Sequence, residues 1–197
     1  VDPVGDRVVV GGQASDATRP ISFIAKSQDP IIPVRANIGS LEDAIAAAAS
    51  AAEGVGLFRT ELLYLSAKTQ PSRQAQAKSY SEILSAAPQG PIVVRTIDAG
   101  SDKPVPFLDM GHEENPALGV RGYRLINQHR DFILDQLASL ELARVESGRE
   151  VWVMAPMVAT YSEAIEFAEL ARSAGDFKVG VMVETPSLVY EIPQLAG

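Results

Sequence analysis

Two stretches of this sequence set out the same side chains in nearly the same order. Gly54–Leu65 reads GVGLFRTELLYL, with Arg59, Thr60 and Glu61 following apolar Leu57 and Phe58. Val93–Lys103 reads VVRTIDAGSDK, with Arg95 and Thr96 following two valines and Asp98 close behind. Arginine is permanently charged and donates parallel N–H pairs that match a phosphate or a carboxylate. A cation at the carboxyl end of an apolar strand is simply explained by an anionic ligand. For the first stretch alone, an Arg59–Glu61 surface pair is the more economical reading. Its recurrence in a second strand argues against packing as the cause.

Other charged residues extend the set. Lys103 follows Arg95 in a polar loop, and Arg121 lies between glycines in ALGVRGYR near a helix start. Arg124 is placed less well and stays outside the candidate site. Glu184 ends the apolar run VGVMVETP, where an unpaired charge is costly, so it calls for an arginine or a metal. One carboxylate together with substrate phosphates is the usual way of holding magnesium. His112 and His129 fall away from strand ends and are not assigned catalytic roles. Trp152, Met154 and Met157 read as barrel core. Gly54-Val-Gly56 precedes its strand and lacks the third glycine of a dinucleotide fingerprint, and no Walker A sequence is present. With no cysteine, disulfides, thiolate zinc sites and cysteine nucleophiles are excluded.

The elements that carry these residues alternate regularly. Strands are expected over Ile31–Asn37, Val55–Tyr64, Ile92–Ile97, Val151–Met157 and Val179–Val183. Between them, Ser40 opens an alanine-rich helix, Pro71-Ser72 opens one that stops before Pro88, and Val120–Glu146 is helical with a break near Asn127–His129. Thr160 and Glu163 form a capping box. Such alternation means parallel strands joined by right-handed crossovers. A doubly wound sheet would gather its chemistry at one switch point. Here Asn37, Arg59, Arg95 and Glu184 end different strands, the pattern of a (β/α)8 barrel. Only five of the eight units are visible. Residues 1–30, rich in Gly and Pro, read as a linker or the tail of a preceding element, and 31–197 as an incomplete barrel.

Composition bounds the rest. The 197 residues are 46% hydrophobic and 21% charged, an ordinary globular balance with no run of membrane-helix length. The absence of cysteine fits a reducing cytoplasm. A net charge of −8 argues against non-specific nucleic-acid binding, so an anion site must be a local cationic focus.

In order and spacing, ANIGS, EGVGLFRTELLYL, VVRTIDAGSDK, EENPALGVRGYR and VGVMVETP resemble enzyme I of the bacterial sugar phosphotransferase system, the phosphoenolpyruvate–protein phosphotransferases. The resemblance runs from about residue 31 to the end and covers the first part of the family's phosphoenolpyruvate-binding TIM barrel. It implies that Arg59 and Arg95 bind the phosphate and carboxylate of phosphoenolpyruvate, with Arg121 and Lys103 lining the pocket. It implies Glu184 as one of two carboxylate ligands to Mg2+. The phosphoryl group would pass to a histidine on a separate domain and then to a histidine-containing phosphocarrier protein. A homodimer through the barrel is implied as well. The phosphohistidine domain and the later Asn-Asp and cysteine motifs are not in this sequence, so no complete catalytic set is expected. A dikinase-type enzyme of the same barrel family and a non-catalytic binding or dimerisation module are the alternatives.

Five strands of an eight-strand barrel leave two open edges, of which Val179–Val183 is short, uncharged and β-branched. The isolated 197-residue chain is therefore expected to associate, by sedimentation, as its concentration is raised. A monomer with a cooperative melt at all concentrations would overturn this.

Overall fold

A computed structural model describes residues 32–65 and 67–195. Five strands are present: β1 (Ala36–Ile38), β2 (Val55–Arg59), β3 (Ile92–Arg95), β4 (Val151–Ala155) and β5 (Lys178–Val181). They alternate with α1 (Leu41–Ala48), α2 (Arg73–Ala86), α3 (Ile126–Ser147), α4 (Tyr161–Ala174) and α5 (Pro186–Leu195). The strands are all parallel, and their spatial order is their chain order. Each crossover therefore advances in one direction, with no reversal and no switch point. That is the winding of a barrel, here five units of it, and it decides against the doubly wound alternative.

Local chemistry sets the helix starts. Ser40 Oγ accepts from the Asp43 amide at 3.1 Å, while Asp43, shorter than a glutamate, reaches the Gly39 amide at 2.9 Å. Ser72 Oγ caps α2 through the Ala75 amide, and Thr160 and Glu163 cap α4 reciprocally. α3 ends on Gly148 in the left-handed region (φ 63°). The expected break in its first turn is real: His129 has non-helical torsions (φ −130°, ψ 42°).

The sheet's two faces have different tasks. Phe58, Ile92, Val94, Val151, Val153 and Ala155 are fully buried and share one core with Leu84, Ile133, Leu137 and Phe167 of the helices. The alternate residues Leu57, Val93, Trp152 and Met154 are half-buried on the other face, the inside of the barrel wall. Arg59 and Arg95 belong to this inner row by the same alternation.

Several boundaries differ from expectation. β1 is only three residues long, since Pro33 lacks a ladder donor and pairing starts at Ala36. β2 stops at Arg59, and Thr60–Leu63 turn into a 3-10 helix instead of continuing the strand to Tyr64. β3 and β4 end at Arg95 and Ala155, and β5 ends at Val181, three residues before Glu184. Within the described residues β1 and β5 are the sheet's edges; residues 1–30, read as a linker, lie outside them. No helix among the described residues is long and apolar enough to cross a membrane.

At the amino ends of the strands, Arg149 holds the junction between α2 and β3. Its Nη1 donates to the carbonyls of Leu84 (2.7 Å) and Ala87 (3.1 Å), and its Nη2 to those of Pro88 and Gly90. Leu84 and Ala87 lie at the end of α2, where Pro88 offers no N–H, and Pro88 and Gly90 lie in the loop beyond it. Arg149→Ala is expected to destabilise the domain by about 2 kcal/mol, the usual worth of charge-assisted bonds. Arg149→Lys should recover little of it, because a point charge cannot span the fork. Denaturant unfolding of the two variants checks both expectations.

Candidate functional site

The strand ends bring two arginines side by side. Arg59 and Arg95 are register partners, the last residues of β2 and β3. Arg95 is deeply buried, with 9% of its side chain exposed, and meets two carboxylates. Its Nη2 donates to Glu61 Oε1 at 2.6 Å and its Nη1 lies 3.0 Å from Asp98 Oδ2. Nη1 also reaches across β4 to Met182 Sδ at 3.8 Å. The acid behind Arg59 in sequence thus pairs with the neighbouring strand's arginine, and the surface-pair reading of Arg59–Glu61 falls away.

Asp98 continues the chain of charges. Its other oxygen accepts from Arg121 Nε at 3.0 Å, and Arg121 Nη1 donates to Asp102 at 2.8 Å. The bond to Asp98 above all, over an opposing cost of burial, raises the Arg121 pKa further, so it stays cationic. Gly122 (φ 58°) fixes Arg121 in place: its amide bonds Ala99 O while the Tyr123 amide bonds Pro156 O, both at 3.0 Å. A Cβ on Gly122 would come within 3.0–3.1 Å of Met157 and Pro156. Arg124 instead donates to the carbonyls of Ala117 and Gly119 and serves the loop.

Glu184 makes no hydrogen bond or ion pair to this cluster among the described residues. It is exposed, and its Oε1 accepts from the Met157 amide at 2.7 Å. The expected burial is not found: at this exposed position water solvates the charge, so burial alone does not oblige Glu184 to hold a cation. Met157 lies past β4, at φ 59°, a left-handed conformation costing about 1–2 kcal/mol in a non-glycine residue. It is part of the strand-end turn and not of the barrel core. Lys103 is exposed on the loop, its amide bonded to Gly100 O. His129 Nε2 bonds Asp109 O, a structural role at the α3 kink.

Beneath the arginines lies a buried polar network that sequence reasoning missed. Gln136, wholly buried on α3, accepts from the Ile97 amide at 3.0 Å, which fixes which way its amide points. Its Nε2 donates to Thr60 Oγ1 (3.1 Å) and to Tyr80 Oη (3.2 Å). Thr60 passes its own proton to Arg95 O at 2.8 Å. Tyr80 hydrogen-bonds Tyr64, Tyr64 donates to Gln76 at 2.7 Å, and Gln76 donates to Pro71 O at 3.0 Å. With one proton order, every member is satisfied. Helical spacing that puts Gln136 beside Ile133, Leu137 and Leu140 was the available signal: a polar residue inside an apolar stripe.

Most of the buried polar atoms without a partner among the described residues belong to this region. They are Arg59 Nε, Arg95 Nε, Glu61 Oε2 and Ser101 Oγ, with Arg35 Nε and Tyr123 Oη elsewhere. Unsatisfied buried groups of this kind are rare and call for an absent ligand or water. Orphan guanidinium N–H groups at the carboxyl ends of parallel strands suit an anion.

A family model described as "PEP-utilising enzyme, PEP-binding domain" matches residues 21–197. The chain belongs to this family. The match begins inside the segment read as a linker. Among the relatives, a phosphoenolpyruvate-protein phosphotransferase of Streptomyces coelicolor is 48% identical over 167 residues, covering 83% of this chain and 30% of the relative. A multiphosphoryl transfer protein of Rhodobacter capsulatus is 40% identical over 84% of this chain and 20% of its own length. A phosphoenolpyruvate-protein phosphotransferase of Haloferax volcanii is 37% identical over all of this chain and 37% of its own. The chain thus spans well under half the length of the curated relatives it matches. Among the described residues no group of three or more His, Cys, Asp or Glu side chains could hold a metal. Glu184 alone does not make up a metal site.

The tyrosines of the network make a pH prediction. Burial raises the Tyr80 pKa to about 12, against opposing bonds from Tyr64 and Gln136, and burial likewise raises Tyr64 well above its usual value. A folded pKa above the unfolded value near 10 favours the native state while the phenol is neutral. That stability is fully present below about pH 10 and is lost as pH rises through about 12. Denaturant midpoints should be level up to pH 10 and fall beyond it, and Tyr80→Phe should shallow the fall.

Proposed function

We propose that this domain binds phosphoenolpyruvate for a phosphoenolpyruvate–protein phosphotransferase. The observation that carries the reading is the in-register pair Arg59 and Arg95, each with a buried, unpartnered Nε–H, at the carboxyl ends of adjacent strands. Membership of the phosphoenolpyruvate-binding family supports it. Phosphoenolpyruvate carries two anionic groups, and two guanidinium groups one strand apart can take one each. Arg121, anchored by Asp98, stands ready for the phosphate as its charge shifts, and Lys103 closes the pocket from its loop.

In this reading Glu184 supplies one ligand to Mg2+, with the phosphate and groups outside the described residues supplying the others. When bound, the ion would neutralise the transferring phosphoryl group. The arginines hold the substrate in line and stabilise charge that grows at the departing oxygen. The phosphoryl group goes to a histidine on another domain, then to a histidine-containing phosphocarrier protein that feeds sugar uptake in the cytoplasm. The relatives' names, phosphotransferases and multiphosphoryl transfer proteins, favour this over a dikinase-type enzyme. Assembly as a homodimer through the barrel belongs to the same proposal.

Arg95→Ala in the full-length protein tests it. Phosphoenolpyruvate-dependent phosphorylation should fall by about 10²–10³-fold or more, the cost of one oriented charge donor. Because buried Glu61 loses its partner in this variant, turnover is compared at equal folded fraction, set by circular dichroism below the melt. Near-normal turnover in a folded variant would remove Arg95 from the site.

A further inference from the structure

The ladder between β2 and β3 ends at Arg59 and Arg95. Beyond it the two chains part: Thr60 enters a 3-10 turn, and the Thr96 amide turns to Met154 O on β4. Yet the residues that orient Arg95 lie just past this point. Glu61 follows Thr60, and Asp98 follows Ile97. Gln136 is bonded to both of these neighbours, donating to Thr60 Oγ1 at 3.1 Å and accepting from the Ile97 amide at 3.0 Å. It comes from α3, a separate rigid element, and is wholly buried.

We infer that Gln136 is a positioning residue for the anion site, holding in register the two chain segments whose carboxylates aim Arg95 and Arg121. The inference rests on the phosphoenolpyruvate reading above. Gln136 touches neither arginine. It acts through Thr60, which fixes Glu61 and bonds Arg95 O, and through Ile97, which sets Asp98. Only a group with an acceptor and donors on one planar head can make these bonds together. A buried methionine has neither, and an ionised glutamate has no donor. A neutral glutamic acid accepts at one oxygen and donates at the other, so it can replace the link to Thr60 when protonated.

Three full-length variants test this by phosphorylation of the phosphocarrier protein and by direct phosphoenolpyruvate titration. Gln136→Met, compared at equal folded fraction, should lower kcat/KM by about 10–10²-fold, the scale of a small misplacement of catalytic groups. Burial favours the neutral form of the carboxyl in Gln136→Glu, which should keep more activity at low pH and lose it relative to wild type as pH rises and the acid ionises. A purely structural glutamine would change melting temperature and leave both the kinetics of the folded fraction and the pH ratio untouched. If Gln136→Met does not fold, Thr60→Val and Thr60→Ser, which remove and keep the hydroxyl that accepts its proton, give the same comparison. Arg95→Ala is run beside them. Loss with Arg95→Ala but wild-type kinetics in the Gln136 and Thr60 variants overturns the positioning role alone. Activity retained in Arg95→Ala overturns the underlying site.

Discussion

A guanidinium taken almost wholly out of water must be paired where it sits, and Arg95 is that group. Leaving such a charge unpaired costs several kcal/mol, whereas excellent geometry makes its burial tolerable. Glu61 and Asp98 provide the geometry, one from each of two neighbouring strand ends. Each of these carboxylates must then be held in turn. Asp98 is shared with Arg121, and Glu61 is tied down through the turn at Thr60. The early end of β2 follows from this: had the strand run on, Thr60 could not turn its hydroxyl onto Arg95 O. Polar residues on α2 and α3 complete the support from below. Much of the carboxyl-end architecture is thus the consequence of keeping one cation dry.

The pairing also determines what kind of anion site this can be. Arg95 and Arg121 are matched by Glu61, Asp98 and Asp102, so the cluster offers little net field. The whole chain carries −8, which repels anions at long range. Affinity must then come from directed N–H groups and not from accumulated charge. Of the five donors on Arg95, one bonds Glu61, Nη1 pairs with Asp98 and contacts Met182 Sδ, and Nε–H has no partner. A site of this sort discriminates by geometry: an ion that cannot meet the fixed N–H directions gains almost nothing from the charge. It also explains why so much buried hydrogen bonding is committed to aiming one side chain.

The sequence made the cations legible and hid what aims them. Arg59 and Arg95 were visible because an apolar strand has no reason to end twice in Arg-Thr. Helix starts were legible too, since Ser40, Ser72 and Thr160 act on amides a few residues away. Partners distant in sequence were not. Glu61 pairs with Arg95 across 34 positions, and Gln136 meets Thr60 across 76. Strand ends were overrun for the same reason: apolar Leu62, Leu63 and Tyr64 continue the strand pattern, while tertiary bonds at Thr60 and Glu61 override it. Apolar neighbours in sequence suggest a buried Glu184, whereas β5 ends at Val181 and the position beyond it is exposed.

The opposite end of the barrel wall clarifies what is special about these arginines. There too cations are abundant. Arg149 gives its N–H groups to four main-chain carbonyls. Arg35 and Lys178 lie over the Trp152 ring, at 5.3 and 4.8 Å from its centre, and Lys178 also pairs with Glu150. These groups stabilise the wall through contacts already made within the fold. Arg35 Nε is also buried without a partner, so among the described residues the carboxyl end differs in having two such donors, on Arg59 and Arg95, in register on adjacent strands. A fold gains no stability from a buried N–H without an acceptor, and this pair of donors is what the proposed anion reading rests on. On the proposed reading, that pair lies where barrel sites are assembled, while the cations of the amino end are engaged with carbonyls and the Trp152 ring.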